Sequence, residues 1–164
     1  MALLTALNSL LARLAMYVTV FCLLGLVGVV VGSVFWRYVL SDAPAWSEQV
    51  ALLLVINVAL FGAAAVVRDE GHIGMESLAA LLPPAPRAVV SQAVGVITAL
   101  FGVILSWGCM TMAESVWMNG IPTLGISEAC RYLPGVFAGV LFVLFSIEHM
   151  LAMYLNRVVV PSWH

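Results

Sequence analysis

Four stretches of the chain run the length of a membrane-crossing helix with almost no ionisable side chain, and this pattern restricts the possible folds more than any other feature. Leu14 to Trp36 lies between Arg13 and Arg37, Gln49 to Val67 between Glu48 and Arg68, and Ala88 to Ala113 between Arg87 and Glu114. A fourth stretch begins at Tyr132, runs uncharged to Ile147 and continues through Glu148 and His149 towards Arg157. A charge at the bilayer centre is costly, so charged residues tend to mark helix ends. As a helix, the first stretch alone is about 34 Å long at 1.5 Å per residue, enough to cross a hydrocarbon core of about 30 Å. The expected fold is therefore all-α: a single integral membrane domain over 1–164, with transmembrane helices at 14–36, 49–67, 88–113 and 132–156.

Composition closes off the alternatives. Hydrophobic residues make up 64% of the chain and charged residues 9%, against about a quarter charged in soluble domains, so no soluble fold could hide this surface. The basic residues are all arginine, and a net charge of -2 argues against a nucleic-acid partner. Cys22, Cys109 and Cys130 are far apart and follow neither metal-ligand nor disulfide spacing. The apolar run behind Arg13 is too long for the core of a secretory signal and lacks a small-x-small cleavage site, so we read it as a retained helix.

Four spans put both termini on one side. Arg13, Arg68, Arg87 and Arg157 fall on that side and Arg37 and Arg131 on the other, so the excess of positive charge predicts cytoplasmic termini. Aromatic residues mark both interfaces: Phe35, Trp36, Tyr38, Trp46, Trp117 and Tyr132 at one, Tyr154 and Trp163 at the other. Between the second and third spans, Met75, Leu78, Ala79 and Leu82 recur at helical spacing before Pro83 and Pro84, which predicts a short amphipathic helix on the cytoplasmic surface. Asp42 and Pro44 are placed to start the second helix, so Trp46 and Glu48 are expected to be helical already.

Helices associate in lipid where small residues let backbones approach. Gly28 with Gly32, and Gly135 with Gly139, form GxxxG pairs, while Gly95, Ala99, Gly102 and Ser106 make a small-residue stripe on the third helix. Each of these faces is expected to meet another helix.

Candidate chemistry is sparse. Three of the four spans carry no Asp, Glu, His, Lys or Arg, whereas proton relays and ion sites usually need such groups. No matching pair of interrupted spans suggests a self-sufficient transporter. Asn57 is the strongly polar residue at depth; it could line a path, but a hydrogen bond to a neighbouring helix or subunit is the plainer reading. Glu148 lies about 25 Å along the fourth helix from Arg131, so it and His149 are read as interfacial anchors. His149 is the one histidine within a span, since His72 sits in the middle loop and His164 ends the chain, so a bis-histidine haem site is not expected. No phosphate loop or catalytic constellation is present, and an enzyme is not expected. In the strip from Arg37 to Glu48, two opposite charges flank an aromatic-rich turn; they could pair with each other or reach a partner subunit.

The ordered set Val34-Phe35-Trp36-Arg37-Tyr38-Val39-Leu40, Trp46-Ser47-Glu48, Phe61-Gly62-Ala63-Ala64, Gly71-His72-Ile73, Leu82-Pro83 and Leu133-Pro134-Gly135 resembles the DctQ-type family, the small membrane subunits of TRAP transporters. The resemblance implies an accessory small permease subunit in a bacterial inner membrane. Such a subunit braces a large DctM-type subunit and helps dock a periplasmic substrate-binding protein. The substrate would be an organic acid such as a dicarboxylate or a sialic acid, imported with a cation gradient. Any sodium site would lie in the large subunit, and no cofactor is implied here. Arg37, Tyr38, Trp46, Ser47, Glu48, Gly62, His72 and Pro134 fall on the family pattern, while Gln49 stands where the family commonly has a second Glu. Candidates for partner contact are Arg37, Tyr38, Trp46, Ser47, Glu48, Asn57, His72 and Arg131. The alternative is a membrane-anchor subunit of a respiratory redox complex.

Overall fold

The computed structural model describes residues 2–41, 44–69 and 84–154. Four helices are long and apolar enough to cross a membrane, and among the described residues there is no β-strand. They are α1 (Ala2–Val39), α2 (Trp46–Asp69), α3 (Pro84–Ser115) and α4 (Leu133–Tyr154), with a 3₁₀ turn at Glu128–Arg131 ahead of α4. The expected surface helix around Met75 to Leu82, and with it His72, lies outside the described residues.

Each helix is longer than its uncharged stretch, because charge marks where lipid ends and not where a helix must stop. α1 reaches back from Leu14 to Ala2 through a segment rich in Ala and Leu, the strongest helix formers. It ends at Val39, where Ser41 takes a positive φ of 53° and Pro44 follows. The Ser47 hydroxyl donates to the Pro44 carbonyl at 2.8 Å and ties down the start of α2, with Trp46 and Glu48 both helical as expected. Proline occupies the first position of α3, where its missing N–H has no partner to lose. Between α3 and α4 the chain is folded on itself. Ile121 is buried, Gly120 bridges Ser127, Gly125 turns at φ +66°, and the Ser127 hydroxyl accepts from the Ala129 N–H to cap the 3₁₀ turn.

The helices form two hairpins, α1 against α2 and α3 against α4, joined mainly by α2 packing on α4. α4 is the most enclosed, with Ala138, Phe142 and Phe145 all buried. Its seam with α3 is built on the small residues expected there. A methyl group added at Gly102 would stand 2.7 Å from the Gly139 carbonyl oxygen, and one at Gly139 2.6 Å from the Gly102 oxygen. Gly135 lies against Cys109, and a methyl on Gly95 would meet Met150 at 2.9 Å. Ala99 lies half-buried on the same helix between Gly95 and Gly102. Phe101 and Phe142 pack edge to face beside this close approach, with centroids 5.8 Å apart.

Within this chain the first GxxxG pair meets no other helix. Nothing lies within 4 Å of a methyl placed on Gly28, and one on Gly32 would meet Trp36 of its own helix. The inner face of α1 instead follows Ala12, Ala15, Thr19, Cys22, Leu26 and Val29, all buried or half-buried. At these steps of three and four residues Gly28 falls off the stripe. Gly25 against Leu54 and Gly62 against Thr19 are the glycines that serve the α1–α2 contact.

Candidate functional site

Polar side chains gather at three places. The first is inside the bundle, where the N-terminal part of α1, the end of α2 and the end of α4 converge. Small residues one turn away make the convergence possible: Ala12 and Ala64 pack with Phe145, all three almost wholly buried. Arg68 then extends between the helices. Its Nε lies 3.4 Å from Glu148 Oε2, and its Nη2 reaches the Thr5 carbonyl at 3.5 Å. Asn8 donates through Nδ2 to the same carboxylate oxygen at 2.8 Å. His149 Nε2 stands 2.9 Å from the Arg68 carbonyl oxygen, which can only accept, so this nitrogen carries the proton. Asn8, Arg68 and Glu148 are at most 5% exposed. Asn8 Oδ1 and Glu148 Oε1 are buried there without a hydrogen-bond partner among the described residues.

This cluster refines the reading of Glu148 and His149. They lie at the level of Arg68, the charge that ends the second span. Their side chains, however, turn into the bundle and link helices instead of anchoring to the membrane surface. Asn8 was missed. It precedes the uncharged stretch, and the signal that could have found it is its place one turn before Ala12 on the inner stripe of α1.

The second place is a cleft of about 370 Å³ at the turn between α1 and α2. Arg37 and Tyr38 line it from the end of α1, and Ser47 and Glu48 from the start of α2. No ion pair joins Arg37 to Glu48, and both are exposed. From Glu48 to Arg68 along α2 is about 30 Å, so cleft and buried cluster sit at opposite faces of a bilayer.

The third lies at the same end as the cleft. Arg131 Nη2 donates to Gln49 Oε1 at 2.7 Å, and its Nη1 lies 3.5 Å from Glu128 Oε1. The neutral amide of Gln49 thus accepts a bond that a carboxylate could equally accept, and joins the start of α2 to the turn ahead of α4. Asn57 departs from expectation: its Nδ2 donates at 2.7 Å to the Leu53 carbonyl of its own helix, not to a neighbouring one. Trp46 is exposed at the rim of the cleft end. The predicted site residues therefore divide, with Arg37, Tyr38, Ser47 and Glu48 sharing one cleft and Arg131 joined to α2 nearby.

The described polar groups knit helices together and line one cleft at a membrane face, and among the described residues no group of three or more His, Cys, Asp or Glu side chains is arranged to hold a metal ion. That defines a multi-pass helical membrane protein whose internal polar contacts join its helices. Residues 26–155 match the family described as tripartite ATP-independent periplasmic transporters, DctQ component. The chain belongs to this family, and with it to the small permease subunits of TRAP transporters. It is 22% identical over 134 residues to a protein of Haemophilus influenzae assigned as a TRAP transporter small permease, covering 80% of this chain and 81% of that one. It is 27% identical over 133 residues to the sialic acid TRAP transporter small permease protein SiaQ of Vibrio cholerae, covering 80% and 76%.

Proposed function

We propose that this chain is a non-catalytic accessory subunit. It braces a larger DctM-type transport subunit in a bacterial inner membrane and helps dock a periplasmic substrate-binding protein. The transporter so formed imports an organic acid, a dicarboxylate or a sialic acid, with a cation gradient. The sodium and substrate sites belong to the large subunit, and the small subunit needs no cofactor. The observation that carries this reading is how the polar groups within the spans are used. Asn57 bonds to its own helix, and Arg68, Glu148, Asn8 and His149 bond to one another at one end. A substrate or ion path would instead line up ionisable groups through the middle of the bundle.

The docking surface in this reading is the folded loop between α3 and α4. Trp117 and Met118 stand exposed there. Reconstituted alone in liposomes, the chain is expected to move no labelled organic acid, and from native membranes it is expected to co-purify with a larger permease. Uptake by the isolated chain would overturn the proposal.

A further inference from the structure

The cleft between α1 and α2 has a donor and acceptor pattern that asks for a ligand carrying both charges. Its volume of about 370 Å³ falls within the range of roughly 300–1,000 Å³ typical of small-molecule pockets. Ser33 and Ser47 line it, but their hydroxyl protons are already given to the Val30 and Pro44 carbonyls, each at 2.8 Å. Towards the cleft these oxygens can therefore only accept. With the Glu48 carboxylate they supply acceptors suited to an ammonium that still has N–H bonds. The Arg37 guanidinium and the Tyr38 hydroxyl, from the end of α1, supply donors suited to a phosphate.

Depth selects the source of such a ligand. Phe35, Trp36 and Tyr38 near the end of α1 and Trp46 at the start of α2 are all exposed, and amphipathic aromatic residues concentrate at the headgroup level of a bilayer. Below Arg37, the exposed Val27, Val30, Val31 and Val34 form an apolar track down α1 along which acyl chains can lie. A headgroup is thus the occupant that is already at this depth and tethered to a matching apolar tail.

We propose that the Arg37–Glu48 cleft binds the headgroup of phosphatidylethanolamine, with Arg37 taking the phosphate and Glu48 the primary ammonium. The inference needs only membrane residence and does not depend on transport. It assigns lipid as the partner of Arg37 and Glu48, leaving protein docking to the loop between α3 and α4.

The test uses the full chain in detergent, exchanged against an equimolar mixture of phosphatidylethanolamine, phosphatidylcholine and phosphatidylglycerol, with retained lipid counted by native mass spectrometry. Phosphatidylethanolamine is expected to be retained roughly fivefold over each of the others, the upper end of what one solvent-exposed charge pair gives. The choline headgroup has no N–H to offer Glu48, and the glycerol headgroup has no cation. Glu48→Gln is expected to erase the preference over phosphatidylglycerol, while Arg37→Gln lowers retention of all three lipids. Both positions are exposed, so neither variant disturbs a buried contact. Free O-phosphoethanolamine, which lacks acyl chains, is expected not to displace the lipid. Equal retention of the three lipids by the unmodified chain, an undiminished preference in Glu48→Gln, or displacement by free O-phosphoethanolamine would each overturn the proposal. So would loss of the retained lipid when the chain is co-purified with the large subunit, since protein would then cover the cleft.

Discussion

Arg68 and Glu148 show how a charge pair can be indispensable without adding much net stability. Taking both charges out of water costs about as much as their attraction returns, but removing one strands the other in a place water cannot reach. The side chains are 1% and 3% exposed. We therefore expect Glu148→Gln or Arg68→Met alone to lower the unfolding free energy in detergent by about 3 kcal/mol. The double change Arg68→Met with Glu148→Met should recover most of that loss, read as denaturant or thermal midpoints. If the double variant is as unstable as the sum of the singles, the pair is not a coupled unit. Only half of this site was legible in the sequence. Counting residues from Arg131 placed Glu148 near the far end of the fourth helix, because the helical rise is constant. Which neighbours it meets depends on the rotation of α4 and on Asn8 arriving from α1, which no count along one helix reveals. Asn57 teaches the converse, since a polar residue at depth can be satisfied by the carbonyl four residues before it.

At the scale of elements, small residues decide how closely helices approach. The backbones of α3 and α4 come so near at Gly102 and Gly139 that a side chain on either would collide with the facing backbone. Gly102→Val is expected to destabilise the hairpin by about 2 kcal/mol through overpacking, measured again as a shift in midpoint. Gly28→Ala is the contrasting case. It points into open space within this chain, so the isolated protein should be unchanged, or gain up to about 1 kcal/mol from better helix propensity. Both glycine pairs carry the same spacing, and the sequence does not distinguish them. The difference arises because the inner stripe of α1 passes through Leu26 and Val29, while that of α4 passes through Gly135 and Gly139.

For the whole molecule, two hairpins meeting along α2 and α4 leave the outer faces of α1 and α3 apolar, with Phe21, Leu24, Trp107 and Met112 among the exposed side chains. Lipid tails or the apolar surface of another membrane protein are the surroundings that suit such faces. Four crossings require both termini on one side, and the excess of arginine on that side predicts that it faces the cytoplasm. A green fluorescent protein fused after the last residue should therefore fluoresce, and alkaline phosphatase inserted in the loop at Asn119 should be active. The reverse pattern would invert the assigned topology and move the Arg37–Glu48 cleft to the cytoplasmic face.

The number of spans and their approximate limits were determined by the sequence alone. They follow from the cost of charge in hydrocarbon and the fixed rise of a helix, both of which act along a single segment. Only the tertiary structure decided which faces pair, that Asn8, Arg68 and Glu148 share one buried site, and that Arg37 and Glu48 line a cleft without bonding. Those outcomes depend on the rotation and register of one helix against another. They are set by side-chain shapes summed over three or four helices at once, and residues such as Ala12, Ala64 and Gly139 signal them only when their partners are known.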